Sequence, residues 1–383
     1  MRLVMFYHSL RSDWNHGNAH FLRGVVRELI TDGHTVTVYE PADGWSIRHL
    51  REAHGDEPIR RFHRAYPTLD AIGYDPTSLD LDAALDRADV VVVHEWTPTP
   101  LIERIGRRRA RGGEFTLLFH DTHHRSVSDA ASLEATDLSG YDGVLAFGEV
   151  IRRRYIERGW GQQVFTWHEA ADVRVFRPIT TEPKTGDLVW IGNWGDDERD
   201  AELRAFLIEP VRRLGLSAAV HGVRYPDTAR AALAEAGIDY RGWLANFDAP
   251  QVFARHRLTV HVPRRPYVEA LPGIPTIRVF EALACGIPLV SAPWRDEEGL
   301  FRPGEDYLVA HDTDEMTRHL DALLRDPERA AAQASAGLET IHARHTCAHR
   351  ADELLAICRR LGARVDARDP RKPSQTFMPS PLI

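Results

Sequence analysis

Short apolar runs that do not alternate with polar residues recur along the whole chain, and they limit the fold more than any other feature. In the first half they fall at 3–7, 35–39, 89–94, 115–120, 143–147 and 164–167. A strand covered on both faces has no solvent side and reads this way. Helical periodicity fills most of the gaps, at 21–30, 79–87, 101–111 and 150–158. Strand–helix–strand units joined by right-handed crossovers give a parallel sheet with helices on both faces. The stretch 179–186, ITTEPKTG, reads as a turn-rich linker. Behind it the rhythm restarts, with strands at 188–191, 217–221, 258–262, 289–291 and 307–309.

The chain is therefore expected to form two α/β domains, 1–178 and 179–345, each able to bury its own core. A helix over 346–362 is positioned to cross back to the first domain. Residues 47–76 are polar, with scattered aromatics and no clear period, and are expected to be irregular or a short helix. The proline-rich 363–383 reads as a mobile tail.

Composition removes several function classes. Hydrophobic residues make up 43% and charged residues 27% of the 383, an ordinary soluble balance. The net charge of −8 argues against a general nucleic-acid binder. Cysteines occur only at 285, 347 and 358, an odd number without metal-ligand spacing, which favours a reducing compartment over a disulfide framework. No stretch approaches the ~20 apolar residues of a membrane span, and the start lacks a signal peptide's apolar core. The expected location is the cytoplasm, with peripheral membrane contact left open.

Ligands of open parallel sheets bind beyond the carboxyl ends of the strands, so the polar residues after each apolar run are the candidates. After the first run, His16, Gly17 and Asn18 open a helix, with Asn18 as its expected N-cap. No G-x-G-x-x-G occurs there. His94 ends the third run, and His120, Asp121, His123 and His124 follow the fourth. Adjacent His123 and His124 point different ways, and neither a helical i, i+4 pair nor cysteine support accompanies them, so no metal is expected. Cleft-lining histidines that donate hydrogen bonds or act as a base, one of them oriented by Asp121, are one reading. Polar residues that merely cap the next helix are the other.

The second half contributes Asn193 and Arg199, then Arg224, then Arg264 and Arg265, in three loops around one strand-end face. Together they could neutralise a diphosphate; singly, each could be a solvated surface residue. Asp196-Asp197 reads as an acidic helix start favoured by the dipole rather than as a metal pair.

The segment 275–291, PTIRVFEALACGIPLVS, is a helix feeding a strand. Pro275 and Thr276 suit a helix start, and Ile277, Phe280, Leu283 and Ala284 share one buried face. Arg278 and Glu281 lie together on its flank. They form either an i, i+3 surface pair or part of a ligand site, in which the loop 271–276 presents backbone N–H groups to a phosphate and Glu281 accepts from hydroxyls.

With these segments assembled, the chain resembles a GT-B glycosyltransferase, two facing Rossmann-like parallel-sheet domains. The helix Glu281-Ala-Leu-Ala-Cys-Gly286-Ile-Pro288 is similar to the Glu-Ala-x-Ala-x-Gly-x-Pro helix of retaining members. PTIRVFEALACGIPLVS, GLFRPGEDYLV, IGNWGDDER and LLFHDTHHR read like the spore-maturation CgeB-type enzymes. The resemblance spans roughly residues 1–360. It implies a hexosyltransferase-like enzyme that moves a sugar from a nucleoside-diphosphate sugar to a hydroxyl acceptor, without metal or other cofactor. It assigns Glu281 to the donor ribose, and Gly273, Ile274, Thr276 and Ile277 to the diphosphate. His120 becomes a cleft histidine, and His16 and Gly17 part of the acceptor-side loop, with Asn18, His94 and His123 beside them. Eight positions before Glu281, where the retaining group usually has another glutamate, this sequence has Gly273. A GT-B epimerase, a phosphorylase and a nucleotide-sugar-binding regulatory protein without turnover are the alternatives, although no lysine in the site region suggests a phosphorylase's cofactor anchor.

Overall fold

The computed structural model describes residues 1–195 and 197–365. The first sheet contains β1 (Arg2–Phe6), β2 (Thr35–Pro41), β3 (Ile72–Tyr74), β4 (Val90–His94), β5 (Thr116–Asp121), β6 (Gly143–Ala146) and β7 (Val164–Thr166). The second contains β8 (Gly186–Ile191), β9 (Ala218–His221), β10 (Ile238–Tyr240), β11 (His256–His261), β12 (Leu289–Ser291) and β13 (Leu308–Val309). Their orders are β3-β2-β1-β4-β5-β6-β7 and β10-β9-β8-β11-β12-β13. Every pairing between these strands is parallel. Two parallel α/β sheets were the expectation from unalternating strands, and β4 and β5 are buried at every position.

The sequence reading misses the edge strands β3 and β10, each three residues long and too short to show a period. It also takes 47–76 as irregular or a short helix, where the chain forms two helices, Trp45–His54 and Glu57–Ala65. Each buries only three residues, Ser46, Ile47 and Leu50 in one and Pro58, Ile59 and Phe62 in the other, so the apolar stripe is faint among polar neighbours. Most of the expected tail, from 366 onward, lies outside the described residues.

The last helix, Cys347–Arg360, packs on the first-domain helix Ala19–Thr31. The Trp167 indole N–H donates to the Arg350 carbonyl at 2.9 Å, and Cys347 N–H to the Ala171 carbonyl at 2.9 Å. One hydrophobic cluster runs through this junction from Leu22 and Val25 to Phe280, Ala351 and Leu354. Gly24 permits the contact, since a Cβ there would lie 2.8 Å from Asp172 Cβ and closer still to Cys347 Sγ. Gly24→Val is accordingly expected to lower stability by about 1–3 kcal/mol through overpacking. Urea denaturation checks this, and an unchanged midpoint would mean the two helices do not meet there.

Candidate active site

The carboxyl ends of the two sheets face each other across a cavity of about 1180 Å³. On the second-domain side the wall is made by the loops after β8, β9, β10 and β11 and by the start of the helix Ile277–Ala284. On the first-domain side it is made by the ends of all seven strands and the loops after them.

A buried hydrogen-bond relay fixes the helix start. Ser291 Oγ lies 2.7 Å from the Ala292 carbonyl, which can only accept, so the serine proton is committed there. The same Oγ must then accept from His261 Nδ1 at 2.8 Å. Burial first, then Arg199, pushes the His261 pKa down to about 3, so the ring is neutral. Its bare Nε2 accepts the Thr276 hydroxyl proton at 3.0 Å. Thr276 is the N-cap residue, with φ −76° and ψ 160°, and makes no side-chain cap bond. The N–H groups of Ile277 and Arg278 have no acceptor inside the helix, as at every helix start, and both residues line the cavity. N–H groups so placed are of the kind that can hold an anion.

Gly273 and Ile274 stand behind this wall. Gly273 adopts the left-handed region at φ 97°, and its N–H donates to the Arg295 carbonyl at 2.7 Å. Ile274 is buried against the first domain, where a Cβ on Gly148 would lie 2.6 Å from its Cγ1.

Asn193, Arg199, Arg224 and Arg264 all line the cavity. Asn193, Arg199 and Arg264 make the following contacts with protein. Asn193 Oδ1 accepts from Val223 N–H at 2.8 Å, and its amide donates to Asn15 across the cleft. Arg199 donates to the carbonyls of Val262 at 2.9 Å, Trp194 at 3.4 Å and Asn193, with its guanidinium 5.1 Å from the Trp190 ring. Burial, then Arg264, pushes its pKa down to about 9. This arginine ties the loop after β8 to the loop after β11. Arg264 donates to Glu198 at 2.6 Å, and His124 Nε2 approaches the same carboxylate from the first domain at 3.6 Å. Arg265 pairs with Glu202 at 3.0 Å, outside the cavity lining.

Glu281 is fully buried and outside the lining. The i, i+3 pair with Arg278 exists, but it is buried on the glutamate side rather than solvated. On its other side His20 Nδ1 of the first domain lies 2.7 Å from Oε1, off the line of a hydrogen bond. Burial works to raise the Glu281 pKa, but Arg278 and His20 outweigh it and hold the group below the usual range. Reaching a ribose from here would require the carboxylate to leave both partners. Arg278 itself lines the cavity.

In the first domain His16, Gly17, Asn18 and His123 line the cavity. Asn18 occupies the N-cap position without a side-chain cap bond, its amide pointing to the Thr122 carbonyl at 3.4 Å. His94, His120 and Asp121 lie one layer down, wholly buried at the ends of β4 and β5. Burial pushes the His120 pKa down to about 3, and its ring packs 4.7 Å from that of Trp167. Burial pushes Asp121 up to about 6. It accepts from Tyr155 O–H at 2.8 Å and from the His123 N–H at 3.1 Å, so it orients the backbone of His123 rather than a ring. His94 shares a hydrogen bond with Thr122 Oγ1 at 3.0 Å, and that hydroxyl also meets Glu95 at 3.0 Å.

Glu169, which the sequence reading passed over, lines the cavity at 3% exposure. Burial, then the neighbouring Glu281, pushes its pKa well above the carboxylate range. Its one sequence signal is its place just after the run at 164–167. Among the described residues no group of acidic, histidine or cysteine side chains has the arrangement of a metal site, and Asp196 lies outside them. No helix among them is long and apolar enough to cross a membrane.

Residues 199–356 match the family model described as glycosyl transferase-like, a stretch of less than half the chain. Over 94% of the chain the structure superposes on complete solved proteins. The fold is GT-B. Similar structures include sucrose-phosphate synthase from Thermosynechococcus elongatus, at 14% identity, 99% of that chain and TM-score 0.63. An alpha-glucosyltransferase in complex with UDP and a 13-mer DNA is 13% identical over 99% of its chain, with TM-score 0.69. Anabaena HepE in complex with UDP-glucose is 12% identical over 100% of its chain, with TM-score 0.65. Curated protein sequences give no match. At such identities the GT-B likeness concerns fold, and chemistry has to be argued from the cavity.

Proposed function

We propose that the chain transfers a hexose from a nucleoside-diphosphate sugar to a hydroxyl acceptor. The observation that carries this reading is the second-domain wall, where the free N–H groups of Ile277 and Arg278 and the side chains of Arg224, Arg264 and Arg278 meet one cavity. Those groups suit a diphosphate, and they can stabilise its departure without a divalent ion. UDP is the first nucleotide to test because similar structures hold it. Retention of configuration follows from the likeness of the 281–288 motif. His120 and Asp121 act from behind the wall, Asp121 by fixing the backbone of His123.

UDP at 100 times its dissociation constant is expected to stabilise the chain by about 2.7 kcal/mol, read as a rise in melting temperature with a chelator present. Release of UDP from UDP-glucose once an acceptor is supplied then separates an enzyme from a binding protein. If no nucleoside diphosphate moved the melting curve, the proposal would fail.

A further inference from the structure

The two walls of the cavity differ in charge. The second-domain wall carries Arg199, Arg224, Arg264 and Arg278, whereas among the described residues no lysine or arginine lines the first-domain wall. In place of cations that side presents rings. Trp96 lines the cavity with 43% of its surface exposed, and Trp45 does so with 36%, which is unusual for indoles in a folded chain. Both are braced. The Arg125 guanidinium sits 5.1 Å from the Trp96 ring, held by the Glu95 carbonyl at 3.0 Å and Ser132 Oγ at 2.9 Å. Trp45 stands edge-on to Trp14 at 4.9 Å.

Beside the rings are buried polar atoms without protein partners. His16 is 8% exposed and Asp13 7%, both line the cavity, and neither His16 Nε2 nor Asp13 Oδ1 has a hydrogen-bond partner among the described residues. His123 Nδ1 is in the same position. Such atoms cost stability unless something satisfies them. Burial pushes His8, between the two tryptophan loops, down to about 4 and holds His16 and His123 well below the usual imidazole range. The imidazoles are neutral, so each offers a donor and an acceptor rather than charge.

From this wall we infer that the acceptor is an uncharged sugar residue, seated with its C–H face on Trp96 and its hydroxyls on His16, His123 and Asp13. A pyranose ring has an apolar face that packs on an indole and a rim of hydroxyls that both donate and accept. A phosphorylated sugar, an anionic lipid headgroup or a nucleic acid would find no lysine or arginine among the described residues lining this wall and would meet Asp13. The inference rests on the transferase reading above.

The test uses the full chain. UDP binding is read first by calorimetry, so a chain that takes a glycoside but not UDP contradicts the transferase reading alone. Methyl hexopyranosides and neutral disaccharides are then compared with hexose 6-phosphates and a single-stranded 13-mer DNA, by saturation-transfer NMR on the UDP-bound protein. Saturation is expected on the ring C–H protons of neutral sugars only. Trp96→Ala should weaken their binding about tenfold, the scale of ring stacking on an aromatic side chain, with UDP affinity and melting temperature unchanged and Trp96→Phe restoring most of the loss. Equal or better binding of the phosphates or the DNA, UDP binding without any neutral sugar binding, or a Trp96→Ala chain as good as the wild type would overturn the inference.

Discussion

Replacing Glu281 with alanine is expected to destabilise the protein by about 3–5 kcal/mol, the usual consequence of removing one partner of a buried ion pair. The carboxylate is wholly buried, and His20, equally buried, comes from the other domain. Its loss leaves Arg278 without its counter-charge and without a fixed place on the cavity wall, and removes the carboxylate beside His20. The effect has a pH signature. Because the folded pKa of Glu281 is held below its ordinary value, its contribution is present above the unfolded pKa of about 4.3 and is lost as pH falls through the folded value. Urea denaturation should show a large difference between wild type and Glu281→Ala at pH 7, one that shrinks as pH falls below the unfolded value of about 4.3. A Glu281→Ala chain as stable as the wild type at pH 7 would mean that the carboxylate is not committed to these partners.

Phe280→Ala is expected to cost about 3–5 kcal/mol for a different reason, an unfilled cavity. Its ring is completely buried, 5.3 Å from Phe301 and 5.6 Å from His345. It joins the cavity-facing helix to the loop after β12 and to His345, two residues before the last helix. The loss should appear in the denaturation midpoint without any change in its pH dependence, which distinguishes it from the Glu281 variant. An unshifted midpoint would contradict the buried face of 275–291.

These two neighbours also show what the sequence could convey. Phe280 is legible because its burial follows from the period of its own helix. Glu281 is not, since its partner His20 lies on the first-domain helix and only tertiary contact brings them together. The parallel sheets were legible because β4 and β5 are apolar on both faces, while the three-residue edges β3 and β10 carry no period. Strand ends were the right places to look for the site, but a single residue decides which way a side chain points. On β5 all of Thr116–Asp121 is buried, and the cavity begins at Thr122 and His123, so His120 and Asp121 fall one layer behind it. Glu169 and Trp96 sit in loops whose chemistry depends on which wall they join, and no local pattern records that.

Hydrogen–deuterium exchange of the full chain with and without UDP tests the donor site most directly. The predicted result is UDP-dependent protection of the amides of residues 276–279 and 261–264, at the helix start and the loop after β11, with little change in the first-domain loops at 41–45 and 96–98. UDP-dependent protection confined to the first domain, or none at saturating UDP, would contradict the account.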